Sequence, residues 1–152
     1  MSLLSQSTVS NKISFSGVGI HTGKRVNLNI LPSSPNSGII FKRVDLKNNN
    51  IVIPNFENVS EATLCTTISN QYGVKVSTIE HLMAAFLGLG IDNAVVELDS
   101  QEVPILDGSA KNFVKIIKEI GLKNSDVPIK LIKINNRVEI EEGKKFISID
   151  KS

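Results

Sequence analysis

Hydrophobic and polar residues alternate in the first third of this chain, and later the apolar positions recur at helical spacing. Val26, Leu28 and Ile30 are separated by Asn27 and Asn29, the period of a strand with one buried face. Lys12 to Val18 predicts an earlier strand, closed by the turn-rich Gly19-Ile20-His21-Thr22-Gly23. Pro32 to Gly38 is a loop of Pro, Ser and Asn, and Ile39 to Val44 predicts a further strand. Polar residues from Lys47 to Asn50, followed by Pro54, mark an irregular link. Cys65 to Ser69 and Val74 to Val76 then predict two short strands joined at Asn70-Gln71-Tyr72-Gly73.

At Ser77 the pattern changes. A helix runs through Met83-Ala84-Ala85-Phe86-Leu87 and stops at Gly88 and Gly90. On a helical wheel Ile79, Leu82, Met83, Phe86 and Leu87 share one side, with Glu80 at its edge. His81 points the other way, beside Ala84 and Ala85. A helix apolar all round is buried on both sides, which predicts a sheet beneath it and a second layer above. Ile91 to Asp99 is a nearly continuous apolar run, the mark of an interior strand. Asp107-Gly108-Ser109 turns into a second helix, Ala110 to Ile120, with Phe113, Val114 and Ile117 inward and Lys111, Lys115 and Lys118 outward. Gly121 ends it.

Asn124 to Pro128 reads as a linker, and three short strands follow, at Ile129–Ile134, Val138–Ile140 and Phe146–Ile149. Three strands without a helix cannot bury both faces. The predicted organisation is α+β. Residues 1–125 form a two-layer sandwich of a mixed sheet with two helices, and residues 126–152 are orphan strands of a second, similar domain.

Composition adds exclusions more than directions. The 152 residues carry a net charge of +2, too small and too scattered to argue for nucleic acid. A single cysteine, Cys65, rules out an internal disulfide and suits a reducing compartment. The serine-rich start lacks the apolar core of a signal peptide, and no apolar run reaches bilayer length. A soluble cytoplasmic protein is expected.

The candidate chemistry is the Glu80-His81 pair. Ser77 and Glu80 have capping-box spacing, so on local grounds a structural role outweighs a functional one. The functional alternative makes His81 a metal ligand and Glu80 the acceptor of a proton from water. No His-Glu-x-x-His segment supports it. His21 is simplest as a hairpin tip, and Gly17, Gly19 and Gly23 make no dinucleotide fingerprint because no helix follows them. An enzyme therefore competes with a noncatalytic α+β binding module, with RNA as its candidate ligand, although a single tyrosine and balanced charge argue against base stacking.

Five segments in order change that balance: Gly17-Val18-Gly19-Ile20-His21-Thr22-Gly23, Leu64-Cys65-Thr66-Thr67, Ser77-Thr78-Ile79-Glu80-His81-Leu82, Gly88-Leu89-Gly90-Ile91-Asp92-Asn93 and Val103-Pro104-Ile105-Leu106-Asp107-Gly108-Ser109-Ala110. Together they closely resemble the N-terminal half of the UDP-3-O-acyl-N-acetylglucosamine deacetylases, zinc amidases of lipid A biosynthesis in Gram-negative bacteria. The resemblance implies two similar α+β domains packed helix to helix, with the active site between them. It makes His81 the zinc ligand of the first domain and Glu80 the general base for hydrolysis of the N-acetyl group. Leu64 and Cys65 match residues lining the substrate site, with Cys65 a small buried thiol rather than nucleophile or ligand. Thr63, where some relatives carry methionine, joins them, and His21 falls near the site entrance. The family's further His-Lys-x-x-x-Asp ligand segment does not occur here. The resemblance thus implies a piece of a UDP-aminosugar deacetylase, inactive alone and without tight zinc. An uncovered His81, Ala84 and Ala85 helix face and the unpaired strands from Ile129 to Ile149 predict self-association as a homodimer.

Overall fold

A computed structural model describes residues 4–151. Its main sheet has the order β2 (Ile13–Val18), β3 (Arg25–Pro32), β9 (Ala94–Leu98), β4 (Ile39–Arg43), β5 (Ile51–Val52). All neighbours are antiparallel except β4 and β9, which run parallel, so the sheet is mixed. Register lines up the apolar residues: Phe15 faces Leu28, Leu28 faces Leu98, Ile30 faces Val96, and Val96 faces Phe41, all buried. Directly opposed residues share a face, so one side of the sheet is a continuous apolar surface. The offset residues Ser14, Ser16 and Asn27 carry the wetter side.

Two helices cover the apolar side. From α1 (Glu80–Leu89) Leu82, Ala85 and Phe86 are buried, and from α2 (Lys111–Ile120) Phe113 and Ile117. These join the sheet residues in one hydrophobic cluster, with the Phe15 and Phe113 rings 5.0 Å apart. The expected two-layer α+β arrangement with its interior β9 is therefore observed. α1 ends in a Schellman turn: Gly90 takes φ 68°, and its N–H and that of Ile91 bond the carbonyls of Leu87 and Phe86.

Several local expectations fail. Leu87 is 85% exposed, because it lies five residues past Leu82 and turns away from the sheet. Ala85, assigned to the outer side with His81, is fully buried. Ser77 caps nothing. Its hydroxyl donates to the Gln101 carbonyl, and no side chain caps α1. The supposed linker is a strand, β10 (Leu122–Pro128), paired antiparallel with β1 (Ser5–Val9) at the serine-rich start. A buried polar cluster anchors β1: Gln6 Oε1 accepts from Asn93 Nδ2 and the Asn36 N–H, while Asp92 Oδ2 accepts from the Ser7 N–H. Of the three C-terminal strands, Ile129–Ile134 is irregular. β11 (Val138–Glu142) and β12 (Lys145–Ile149) form a hairpin.

A third sheet, β6 (Val59–Glu61), β7 (Thr67–Ser69) and β8 (Lys75–Val76), delivers the chain to α1. Asn70 shapes its β7–β8 turn by accepting the N–H groups of Tyr72 and Val74.

Candidate active site

The approach to α1 is strained. Thr78 is β-branched, buried and at φ 58°, a conformation that such residues rarely adopt. Its hydroxyl donates to Glu102 Oε1 at 2.9 Å. Two residues on, Glu80 opens the helix half-buried, and its Oε2 accepts the Thr66 N–H at 3.0 Å. The carboxylate thus reaches sideways to the irregular segment leading into β7, not back along its own helix. A carboxylate at a helix N-terminus is also favoured by the dipole.

His81 follows, half-buried. Its Nδ1 is the one enclosed side-chain nitrogen or oxygen without a hydrogen-bond partner among the described residues. Such an atom costs free energy unless something engages it. No described residue makes the hydrogen bond that a satisfied core histidine would have at this atom. Among the described residues no three His, Cys, Asp or Glu side chains cluster as metal ligands. One imidazole with an unclaimed nitrogen fits a corner of a metal site, and only a corner.

Beside this turn lies an open cleft of about 450 Å³, lined by His21, Thr22, Thr63, Leu64, Cys65 and Thr67, with Glu61, Lys75, Ser77 and Gln101 completing it. All four residues assigned to substrate contact, His21, Thr63, Leu64 and Cys65, come together here from two distant segments. Leu64 sits at φ 62° with its side chain 89% exposed, an apolar group presented to solvent by a strained backbone. Cys65 is half-buried rather than buried, its Sγ 3.7 Å from Thr67 Oγ1. Glu80 and His81 do not line the cleft. They adjoin it through Thr66, which stands between two of its lining residues. A larger cleft of about 760 Å³, where β1 and β10 meet the 32–35 loop, has a mostly uncharged lining with Lys123 and Asp126 as its charged groups and no histidine or cysteine.

Glu102 escaped the sequence reading. It is fully buried and accepts from the His21 N–H at 3.0 Å, the Thr22 N–H at 2.8 Å and the Thr78 hydroxyl. Burial pushes its carboxyl up, but the hydrogen bonds from His21, Thr22 and Thr78 together outweigh this and hold it below the ordinary range. The available signal was the glycine spacing of the 17–23 turn, since a Cβ on Gly19 would stand 2.2 Å from Glu102 Oε2.

Comparison with known proteins shows the family. The sequence profile of the UDP-3-O-acyl N-acetylglycosamine deacetylases matches residues 6–152. A UDP-3-O-acyl-N-acetylglucosamine deacetylase of Shewanella baltica (strain OS155) is 44% identical over 147 residues, covering 97% of this chain and 48% of that protein. The enzyme of the same name from Shewanella oneidensis (strain MR-1) is 42% identical over the same shares. The chain spans about half the length of the curated relatives it matches. Because the match spans residues 6–152 of 152, the chain belongs to the UDP-3-O-acyl N-acetylglycosamine deacetylase family.

Proposed function

We propose that this chain forms one side of the active site of a zinc-dependent deacetylase. The intact enzyme removes the N-acetyl group of UDP-3-O-(3-hydroxyacyl)-N-acetylglucosamine, a step of lipid A biosynthesis in the cytoplasm. The observation that carries this reading is the first turn of α1, where a tethered carboxylate adjoins an imidazole with an unclaimed nitrogen. The names of the relatives support a UDP-3-O-acyl-N-acetylglucosamine as the substrate class.

Zinc, when bound, supplies Lewis acidity that polarises the amide carbonyl and eases deprotonation of the attacking water. Glu80 takes that proton and hands it to the departing amine. The Thr66 N–H fixes the carboxylate at the start of the helix. His81 is one metal ligand. A catalytic zinc needs three, so the others come from elsewhere in the intact enzyme. His21, Thr63, Leu64 and Cys65 hold the substrate in the cleft, and its exposed leucine suits an acylated sugar.

On this reading residues from about 126 onward begin a second domain, and the chain alone neither turns over substrate nor retains zinc. Val138, Ile140, Ile147 and Ile149 share one exposed face of the hairpin, which supports self-association as a homodimer. Metal analysis tests the site. His81→Ala in the intact enzyme should lose its zinc, and this chain should emerge from dialysis without one. Full zinc occupancy in the variant would remove His81 from the ligand set.

A further inference from the structure

We propose that Glu102 is a positioning residue that couples the His21–Thr22 loop of the cleft to the first turn of α1, where Glu80 and His81 stand. Burying a carboxylate is costly unless its oxygens are satisfied. Here both oxygens are used, and every partner is a neutral donor: two backbone N–H groups of one loop and the hydroxyl of Thr78. The loop wraps the carboxylate closely. Gly23 N–H closes the turn on the Gly19 carbonyl, and Gly19 leaves no room for a side chain against Glu102.

The other end of the device is the strained Thr78. Its φ of 58° is what turns the chain out of β8 and into α1, and its hydroxyl is bonded to Glu102. Backbone bonds lay the two segments side by side: Ser77 N–H to the Gln101 carbonyl at 2.9 Å, and Val103 N–H to the Ser77 carbonyl at 3.1 Å. Three segments remote in sequence, 19–22, 77–78 and 101–103, therefore meet at one carboxyl group. Movement of the substrate-side loop must either break these bonds or shift the residues that aim Glu80 and His81.

The kinetic arm of the test rests on the deacetylase reading, and the exchange arm does not. Thr78→Val in the intact deacetylase removes only the helix-side bond. It should lower kcat by about 10- to 100-fold with KM little changed, since small misplacement of catalytic groups is costly. Thr78→Ser keeps the hydroxyl and should restore kcat. Glu102→Gln loses an acceptor for the loop, so it should raise KM as well as lower kcat. Amide hydrogen exchange at His21 and Thr22 should accelerate in Glu102→Gln and stay near the parent rate in Thr78→Val. Lowered thermal stability in both variants, with kcat and KM at parent values, would reduce Glu102 to a core group and overturn the proposal. Should Glu102→Gln fail to fold, Thr78→Val against Thr78→Ser decides alone. If the parent enzyme shows no deacetylase activity, the functional reading fails. Unchanged exchange at His21 and Thr22 would then overturn the coupling by itself.

Discussion

In the five-stranded sheet Ile30 stands opposite Val96 and both are fully buried. In the β11–β12 hairpin Ile140 stands opposite Ile147 in the same kind of pairing, yet they are 66% and 71% exposed. Alternation and register are alike in the two regions. The sheet has α1 and α2 laid over its apolar face, and the hairpin has no covering layer among the described residues. Strand pairing gathers apolar side chains onto a face, but burial needs a second layer, worth about 1.5–3 kcal/mol for each large side chain fully covered. The hairpin therefore has an apolar face that no second layer covers among the described residues.

The sharpest way to break this comparison is to truncate one phenylalanine in each region. Phe86→Ala opens a cavity between α1 and the sheet and should cost about 3–5 kcal/mol in denaturant unfolding. Phe146→Ala, at a side chain 68% exposed, should change monomer stability by no more than about 0.5 kcal/mol. Gly19→Ala comes next. It forces a methyl group against the Glu102 carboxylate and should cost about 1–3 kcal/mol.

A pH series gives a smaller effect with a definite sign. Glu102 is held below the ordinary carboxylate range by its hydrogen bonds despite burial, and Asp45 by its bond and ion pair with Arg43. The unfolded chain therefore binds protons on these groups first as pH falls. Their stabilisation is complete above the ordinary carboxylate pKa and is lost as pH drops towards the lower folded values. Glu102→Gln should flatten its share of that acid slope. Smallest for monomer stability, and largest for assembly, is Ile147→Lys. It should leave unfolding within about 0.5 kcal/mol while light scattering reports monomer instead of dimer. A parent chain that is already monomeric at high concentration would remove the dimer.

Legibility in the sequence followed the same division. β3, β9 and α2 carry strong local periodicity, and they form where it predicts. β1 and β10 do not: Ser5–Val9 and Leu122–Pro128 are polar enough to read as tail and linker. They become strands through each other and through the Gln6–Asn93 cluster, whose members lie 87 residues apart. Glu80 and His81 were visible as polar residues in an apolar helix. The capping box was wrong because the turn at Thr78 breaks the chain geometry that Ser77 would need. Glu102 was invisible for a related reason. Its donors, His21, Thr22 and Thr78, are 81, 80 and 24 residues away.

The central claim is that Glu80 handles the proton while His81 holds the metal, and Glu80→Gln in the intact enzyme tests it most directly. Glutamine keeps the shape and can still accept the Thr66 N–H, but it cannot take a proton from water. Zinc content and turnover should be measured together on the same preparation. The account predicts zinc at the parent level and turnover lower by about 10²- to 10⁴-fold. Near-parent turnover would contradict it and leave Glu80 only its tether to Thr66.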